Sequence, residues 1–263
     1  MTMASLRQML LILTLCLVAR AQQASDEPAA NPARPTIATP ATLTPVGYLQ
    51  FESGFLYARD SPEFSSQSSV NEVVKLAVAR RLQFIVGSGP VAHSCTMGEA
   101  DNGTGDLLLG GQGVVYSGDG PRPTVALSYF RRVYEGSAPD LDIGSARNSA
   151  LLLASAEVRG FHYDANYFVN EVVNAGIHRV QLGQTLSVSH PLPGKFGVTS
   201  EIWHFTQPFL RSNAVGNLWA LNYNQRRNLV FDAGLDHGLT RTSTHWEIFA
   251  GVTYLLPHRL FSH

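Results

Sequence analysis

After its first 45 residues, the chain alternates apolar and polar residues with a period of two almost to its end. In the segment 160–170, Tyr163 and Tyr167 lie on one parity, whereas Asp164 and Asn166 lie on the other. Because successive side chains of a β-strand point to opposite faces, this pattern predicts strands with one oily face and one polar face. No long segment has the 3.6-residue period of an amphipathic helix, so the chain is predicted to be all-β.

The alternation predicts twelve strands, at 46–58, 70–79, 82–92, 105–117, 122–133, 148–158, 160–171, 178–190, 195–206, 213–223, 227–237 and 245–256. They are longer than the roughly 5 to 6 residues typical of soluble sheets, and they match the ~9 to 11 residues of a tilted bilayer crossing. Tight turns such as 80–81 alternate with longer loops such as 134–147, as in outer-membrane barrels. Because lipid offers the backbone no hydrogen-bond partner, such a sheet has to close. The predicted fold is therefore an all-β, transmembrane, antiparallel up-and-down β-barrel of about 12 strands, formed by residues 46–263.

The first 45 residues lack the alternation and divide into two parts. Residues 1–21 combine Arg7, an apolar run and the small-x-small sequence Ala19-Arg20-Ala21, which is typical of a cleavable signal peptide. The apolar run is far shorter than the ~20 residues of a transmembrane helix. Residues 22–45 are rich in Pro, Ala and Thr and predict a disordered linker, with a periplasmic or lumenal plug as the alternative.

The bulk composition does not identify the class of protein: 44% of the residues are hydrophobic, 15% are charged, and the mean hydropathy is near zero. Loss of residues 1–21 removes two arginines and no acid, which shifts the net charge from −1 to −3 and gives no indication of a nucleic-acid partner. Cys95 is then the only cysteine, so no internal disulfide is predicted. We expect export by the signal peptide to the outer membrane of a Gram-negative-type bacterium. The expected partners are the lipid bilayer, lipopolysaccharide, the outer-membrane assembly machinery and small-molecule solutes.

Three short motifs occur in a characteristic order. They comprise Gly103, Gly105, Asp106, Leu109 and Gly110, then Phe161, His162, Asp164 and Asn166, and finally Asp232, Gly234, Gly238, Leu239, Thr240, Gly251 and Tyr254. On these motifs the chain resembles the transporter-like outer-membrane β-barrel family labelled with the meta-pathway of phenol degradation. The likeness covers most of the stretch 46–256, although Gln112 stands where the family usually has a lysine. The resemblance implies an association with the metabolism of aromatic compounds.

The polar parity of the strands carries the candidate functional residues. Eight are predicted to face the lumen: Glu52, Lys75, Asp164, Asn166, Arg179, Glu201, Asp232 and Glu247. An enclosed charge persists only if it is paired or hydrated, so the lumen is predicted to be wet or crossed by ion pairs. A filling network of ion pairs and a path for a solute are both compatible with about 12 strands, which lie between filled and open barrels.

The sequence carries no signature of a catalytic or metal site. Histidines 162, 190 and 237 stand beside serine or aspartate, but without the local pattern of a barrel lipase, and CxxC, HExxH and EF-hand motifs do not occur. We therefore predict no catalytic residue, metal or cofactor, and no enzymatic activity. The favoured function is an outer-membrane channel or transporter for small molecules, aromatic or apolar ones among them. A barrel enzyme of the lipid-hydrolase type and a structural or adhesive barrel are the alternatives.

Overall fold

The computed structural model describes residues 28–139 and 146–261. These residues contain no helix, and thus no helix long and apolar enough to cross a membrane. They form thirteen strands, which are β1 (Leu49–Arg59), β2 (Ser66–Ala79), β3 (Leu82–Thr96), β4 (Glu99–Gly103), β5 (Leu107–Tyr116), β6 (Thr124–Tyr134), β7 (Ala146–Val158), β8 (Phe161–Asn174), β9 (Ile177–Pro191), β10 (Phe196–Gln207), β11 (Ser212–Arg226), β12 (Leu229–Gly238) and β13 (Trp246–Leu255). The predicted signal peptide lies outside the described residues.

The strands form one closed antiparallel barrel. Strand β1 pairs with both β2 and β13, so the first and last strands join and the wall has no free edge. The short β4 pairs only with the end of β3, while β5 continues the wall beside β3. The wall therefore has twelve strands, which confirms the predicted fold class. Strand β4 falls inside a predicted loop because its sequence, Glu99–Gly103, has no apolar alternation.

The connections between strands define two rims. The terminus-side rim carries both ends of the barrel sequence and the turns 80–81, 117–123, 159–160, 192–195 and 227–228. The opposite, loop-side rim carries the connections 60–65, 97–98, 104–106, 175–176, 208–211 and 239–245 and the segment 135–139 that follows β6. Two of these are as short as a turn, because Met97 and Gly98 (φ 52° and 89°) and Ala175 and Gly176 (φ 49° and 76°) each reverse the chain in two residues.

The two faces of the wall have opposite character. In β10, Ile202 on the outer face is 55% exposed, whereas the neighbouring Glu201 on the inner face is 2% exposed. Large apolar side chains such as Phe55 and Trp219 also lie exposed on the outside, while glutamines and carboxylates are buried inside. This polarity is the reverse of that in a water-soluble barrel, which buries apolar side chains.

Residues 28–45 lie inside the barrel as a re-entrant segment, which we call the plug. The plug enters at the terminus-side rim, where the Ala30 N–H donates to the Arg227 carbonyl (2.8 Å), and it leads back to that rim at Gly47. Within it, the Asn31 side-chain amide donates to the Thr42 carbonyl (2.9 Å) and closes the loop. The disordered linker predicted for 22–45 therefore does not describe residues 28–45. They are ordered because side chains of the wall satisfy their backbone groups.

Candidate functional site

The backbone of the plug is bound by polar side chains of the inner wall. Both oxygens of Glu201 accept backbone N–H groups, from Ile37 (2.8 Å) and Ala38 (2.7 Å). Asn166 accepts the N–H of Thr39 (2.6 Å) and donates to its carbonyl (3.0 Å). A segment without secondary structure would otherwise bury unpaired backbone groups at a cost of several kcal/mol. The inner wall thus supplies the hydrogen bonds that a helix or sheet would provide.

The returning half of the plug is held by uncharged side chains. The Ser155 hydroxyl accepts the N–H of Ala41 (2.7 Å), and the side-chain amide of Gln112 donates to the carbonyl of Pro40 (2.9 Å). Near the rim, the side-chain oxygen of Gln83 accepts the N–H of Thr44 (2.9 Å). Strands from several sides of the barrel therefore contact one segment, and the plug crosses the lumen rather than lining one wall.

Two ion pairs reinforce this seat. Arg34 of the plug pairs with Asp232 on β12, with 3.2 Å between Nη2 and Oδ1. On the wall, Lys75 pairs with Glu52, and Glu52 also accepts the backbone N–H groups of Ala33 and Arg34 at 3.2 Å. Each buried charge in these pairs has a partner of opposite sign, which buried ions require. Three of the charges predicted to face the lumen, Glu52, Glu201 and Asp232, thus bind the plug directly.

A pair of glycines makes room for Arg34. Gly54 on β1 and Gly251 on β13 are register partners. A Cβ atom would lie 2.1 Å from the guanidinium carbon at Gly54 and 2.4 Å from Nε at Gly251. The guanidinium therefore lies against bare backbone, and any side chain at either position would displace it.

We expect Arg34 and Asp232 to be energetically coupled in keeping the plug seated. Arg34→Gln or Asp232→Asn alone leaves a buried charge unpaired, and should raise the open probability of the pore in planar bilayers. The double substitution removes both charges, so its effect should fall short of the sum by about 1 to 3 kcal/mol. The control is the exposed pair Arg59 and Asp60, 3.5 Å apart, for which we expect additive effects. Additive effects for the Arg34 pair as well would contradict this role.

Four aromatic rings lie flat against the inner wall, each over a glycine of the neighbouring strand. The register pairs are Phe130 with Gly110, Trp203 with Gly216, Phe205 with Gly183 and Phe249 with Gly234. A Cβ at any of these glycines would come within 2.2 to 2.7 Å of a ring atom. The glycines thus let bulky rings cover the wall without extending across the lumen.

Between the plug and the loop-side rim lies a cavity of about 460 Å³, which we call the vestibule. Thr39 of the plug lies at its base, and Leu108, Phe130, Leu151 and Phe168 provide apolar wall. Polar groups interrupt this surface, among them Asn170 and the acids Glu72 and Asp106. The sequence predicts a lumen that is wet or filled by ion pairs. The structure shows two regions instead, a polar seat around the plug and a largely apolar vestibule between the plug and the loop-side rim.

The glycine and aromatic pairs predict a selective effect of small substitutions. Gly183→Ala should push the Phe205 ring off the wall and lower the free energy of unfolding by about 1 to 3 kcal/mol, as overpacking does. Gly87→Ala is the control, because it also faces inward but its Cβ would lie 3.8 Å from the nearest atom, an ordinary contact. Urea unfolding of both variants in the same detergent tests this, and equal losses would show that Gly183 has no special packing role.

The structure brings most of the predicted lumen residues together. Six are buried on the inner wall, namely Glu52, Lys75, Asp164, Asn166, Glu201 and Asp232. Glu247 lines a smaller cavity beside Arg34. Arg179 lies apart at the loop-side rim, where it is exposed and donates to the Pro208 carbonyl (2.6 Å). The uncharged seat residues, such as Ser155 and Gln112, were not among the predicted residues, although their inward parity could have indicated them.

One cluster has the residue types of a hydrolase but not the arrangement. The Ser155 hydroxyl donates to Asp164 (2.5 Å), and Asp164 contacts the His162 Nε2 (3.0 Å). In a catalytic triad the histidine lies between the nucleophile and the acid, whereas here the acid lies between. The Ser155 hydroxyl also accepts the backbone N–H of Ala41 in the plug. Within residues 28–139 and 146–261, no group of three or more potential metal ligands comes together.

No family model matches the sequence, and no curated protein matches it significantly. Solved structures, however, share the fold. The COG4313 outer membrane channel from Pseudomonas putida F1 is 14% identical with a TM-score of 0.61, and the match covers 82% of this chain and 98% of that one. The NanC porin (10% identity, TM-score 0.55, 79% and 100% coverage) and the KdgM porin (12%, 0.53, 78% and 98%) are also similar. At these identities the likeness shows the fold, a porin-like closed barrel.

Proposed function

We propose that this chain is an outer-membrane channel for small apolar or aromatic molecules, held closed by its own plug. The observation that carries this proposal is the vestibule, which is largely apolar, is lined by aromatic rings and has the plug at its base. An apolar cavity therefore precedes a polar barrier on the way from the loop-side rim. This arrangement suits a solute that first binds in the vestibule and then passes when the plug moves. Association with the phenol-degradation family is part of the same proposal.

The location in a membrane is supported by the outer surface. Apolar side chains on the outside, Ile202 and Trp219 among them, are exposed to an extent that a water-soluble protein would hide in its core. The wall closes on itself, so no backbone edge is left for lipid to meet. The structural neighbours named as an outer membrane channel and as porins agree with this location.

The charge of the lumen favours a neutral solute over an anionic sugar. One similar structure is the KdgM porin in complex with disordered oligogalacturonate, a sugar acid. In the barrel described here, Lys75 and the plug residue Arg34 face a larger set of buried carboxylates, which are Glu52, Asp164, Glu201, Asp232 and Asp236. Arg34 and Lys75 are each already paired with a carboxylate, so an anion would have to displace one of these partners. An uncharged molecule pays no such cost.

The proposal is tested by ligand binding to the full chain in detergent. Calorimetry should show tighter binding of benzyl alcohol, a neutral aromatic probe, than of glucuronate, a sugar acid. Phe130→Gln should weaken benzyl alcohol binding, because Phe130 lines the vestibule. Tyr129→Gln is the matched control, because Tyr129 is the next residue on the strand and is exposed on the outer face. Preference for glucuronate, or equal effects of the two substitutions, would argue against an apolar solute.

A further inference from the structure

The terminus-side rim is strongly basic. Each of its five turns contains or adjoins at least one arginine or lysine, and the C-terminal segment adds another: Arg80, Arg81, Arg122, Arg159, Lys195, Arg226, Arg227 and Arg259. All eight are exposed. The acids nearby are few, since Asp119 lies in the turn 117–123 and Glu157 is engaged by His162 at 2.5 Å. This rim is therefore a ring of positive charge.

Four cations of this ring are available to a partner. Arg80, Arg81, Arg122 and Arg159 have no carboxylate within ion-pair distance in the part of the chain that the structure describes. Lys195 donates to the Gln225 carbonyl (2.7 Å), which fixes its position but does not neutralise it. The loop-side rim differs, because its exposed arginines are mixed with acids, as in the pair of Arg59 and Asp60.

Next to the cations, the outer wall begins with exposed apolar side chains. Leu82 follows Arg81 directly, Phe196 follows Lys195, and Leu260 follows Arg259, while Phe161 lies two residues beyond Arg159. Positive charge thus sits at the boundary of the apolar outer surface around the whole barrel. Arginine and lysine at such a boundary keep their charged ends in the headgroup layer and their stems along the hydrocarbon.

We propose that this ring binds the anionic headgroups of glycerophospholipids in the leaflet on the terminus side. The inference rests on the proposed insertion in a membrane. The turns follow β2, β5, β7, β9 and β11, so the cations surround the wall on all sides. A lipid shell surrounds a barrel in the same way, whereas a docked acidic protein would cover one sector. Short turns mark the periplasmic rim of outer-membrane barrels, which places this leaflet on the inner side.

The test measures lipid selectivity of the full chain in phosphatidylcholine vesicles that contain phosphatidylglycerol. Spin-labelled lipids report the relative association of the two headgroups with the protein. A basic side chain near an anionic surface favours association about five-fold, and salt screens this effect. We therefore expect the wild type to prefer phosphatidylglycerol several-fold at low salt and much less at 1 M salt. The triple variant Arg80→Gln, Arg81→Gln, Arg159→Gln removes three of the eight cations and should clearly reduce this preference.

The matched control neutralises three exposed arginines of the loop-side rim, Arg59→Gln, Arg211→Gln and Arg241→Gln, and should keep the preference. Insertion is measured separately, from the heat-modifiable electrophoretic mobility of the protein taken from the same vesicles. If the protein inserts but the wild type shows no preference, or both triple variants lose it equally, the lipid site is wrong and the channel proposal stands. If the wild type does not insert in either kind of vesicle, the proposed membrane function itself fails.

Discussion

Deletion of residues 28–45 should raise the single-channel conductance from near the baseline to that of an open twelve-stranded pore. The plug crosses the lumen and is held by side chains such as Glu201 and Asn166, so its removal leaves an open path through the barrel. The barrel itself should persist, because each wall strand is bonded to two neighbours through its backbone. Carboxylates released from the plug become hydrated and no longer need its amides.

The measurement is current across planar bilayers that carry the purified protein. A variant in which residues 28–45 are replaced by a Gly/Ser segment of equal length is the control for chain length. It should also conduct, because it lacks Arg34 and the prolines that shape the plug. Retention of heat-modifiable mobility shows that the barrel still forms. Failure of the deletion variant to fold, or current unchanged from the wild type, would contradict the assignment of this segment as the plug.

Ile202→Arg should cost about 2 to 4 kcal/mol of folding free energy in lipid, the largest loss that we expect from one outward substitution. Ile202 lies in the middle of β10 and points outward, so the new charge would enter the hydrocarbon. The residue makes no contribution to the plug seat. The loss would therefore report the surroundings of the outer wall rather than a change inside the lumen.

The matched control is Phe196→Arg, in the same strand and on the same face but at the terminus-side rim. A charge at that depth should cost only about 0 to 1 kcal/mol. Chemical unfolding from phospholipid vesicles compares the two variants. A membrane barrel requires this dependence on depth. Equal, small losses at both positions would indicate a barrel whose outer wall meets water.

The wall was predictable because its signal is local. Each strand shows the alternation with a period of two by itself. Tyr167 points outward and Asn166 points inward, as the sequence of β8 alone predicts. The bounds of strands shift by several residues where polar sequence continues the ladder, as at the start of β2 (Ser66). The tight turn at Ala175-Gly176 was also missed, since the alternation shows where a strand lies and not how the chain reverses.

The plug was not predictable from its composition. Its bonds join residues far apart in sequence, such as Ile37 with Glu201, which are 164 positions apart. A segment rich in proline and alanine has no periodicity of its own, and the same composition occurs in disordered linkers. The order of this segment comes from the barrel around it. The alternation along the wall strands did indicate that the acids face inward. It did not indicate that backbone amides of the plug would be their hydrogen-bond donors.

The vestibule was missed for a different reason. Phe130 and Phe168 line the vestibule but lie on the parity that is otherwise polar, and the alternation treats such residues as exceptions. The position of such a ring depends on the register between strands, which places Phe130 over Gly110. Register between strands is set by the whole sheet, and one sequence does not reveal it.

The seat of the plug has a consequence for the order of assembly. Arg34 meets Asp232, which is 198 residues further along the chain, and its slot is completed by Gly54 on the first strand and Gly251 on the last. The N-terminal segment is made first, yet its binding site does not exist until β13 has joined β1. Seating of Arg34 is thus complete only when the barrel has closed.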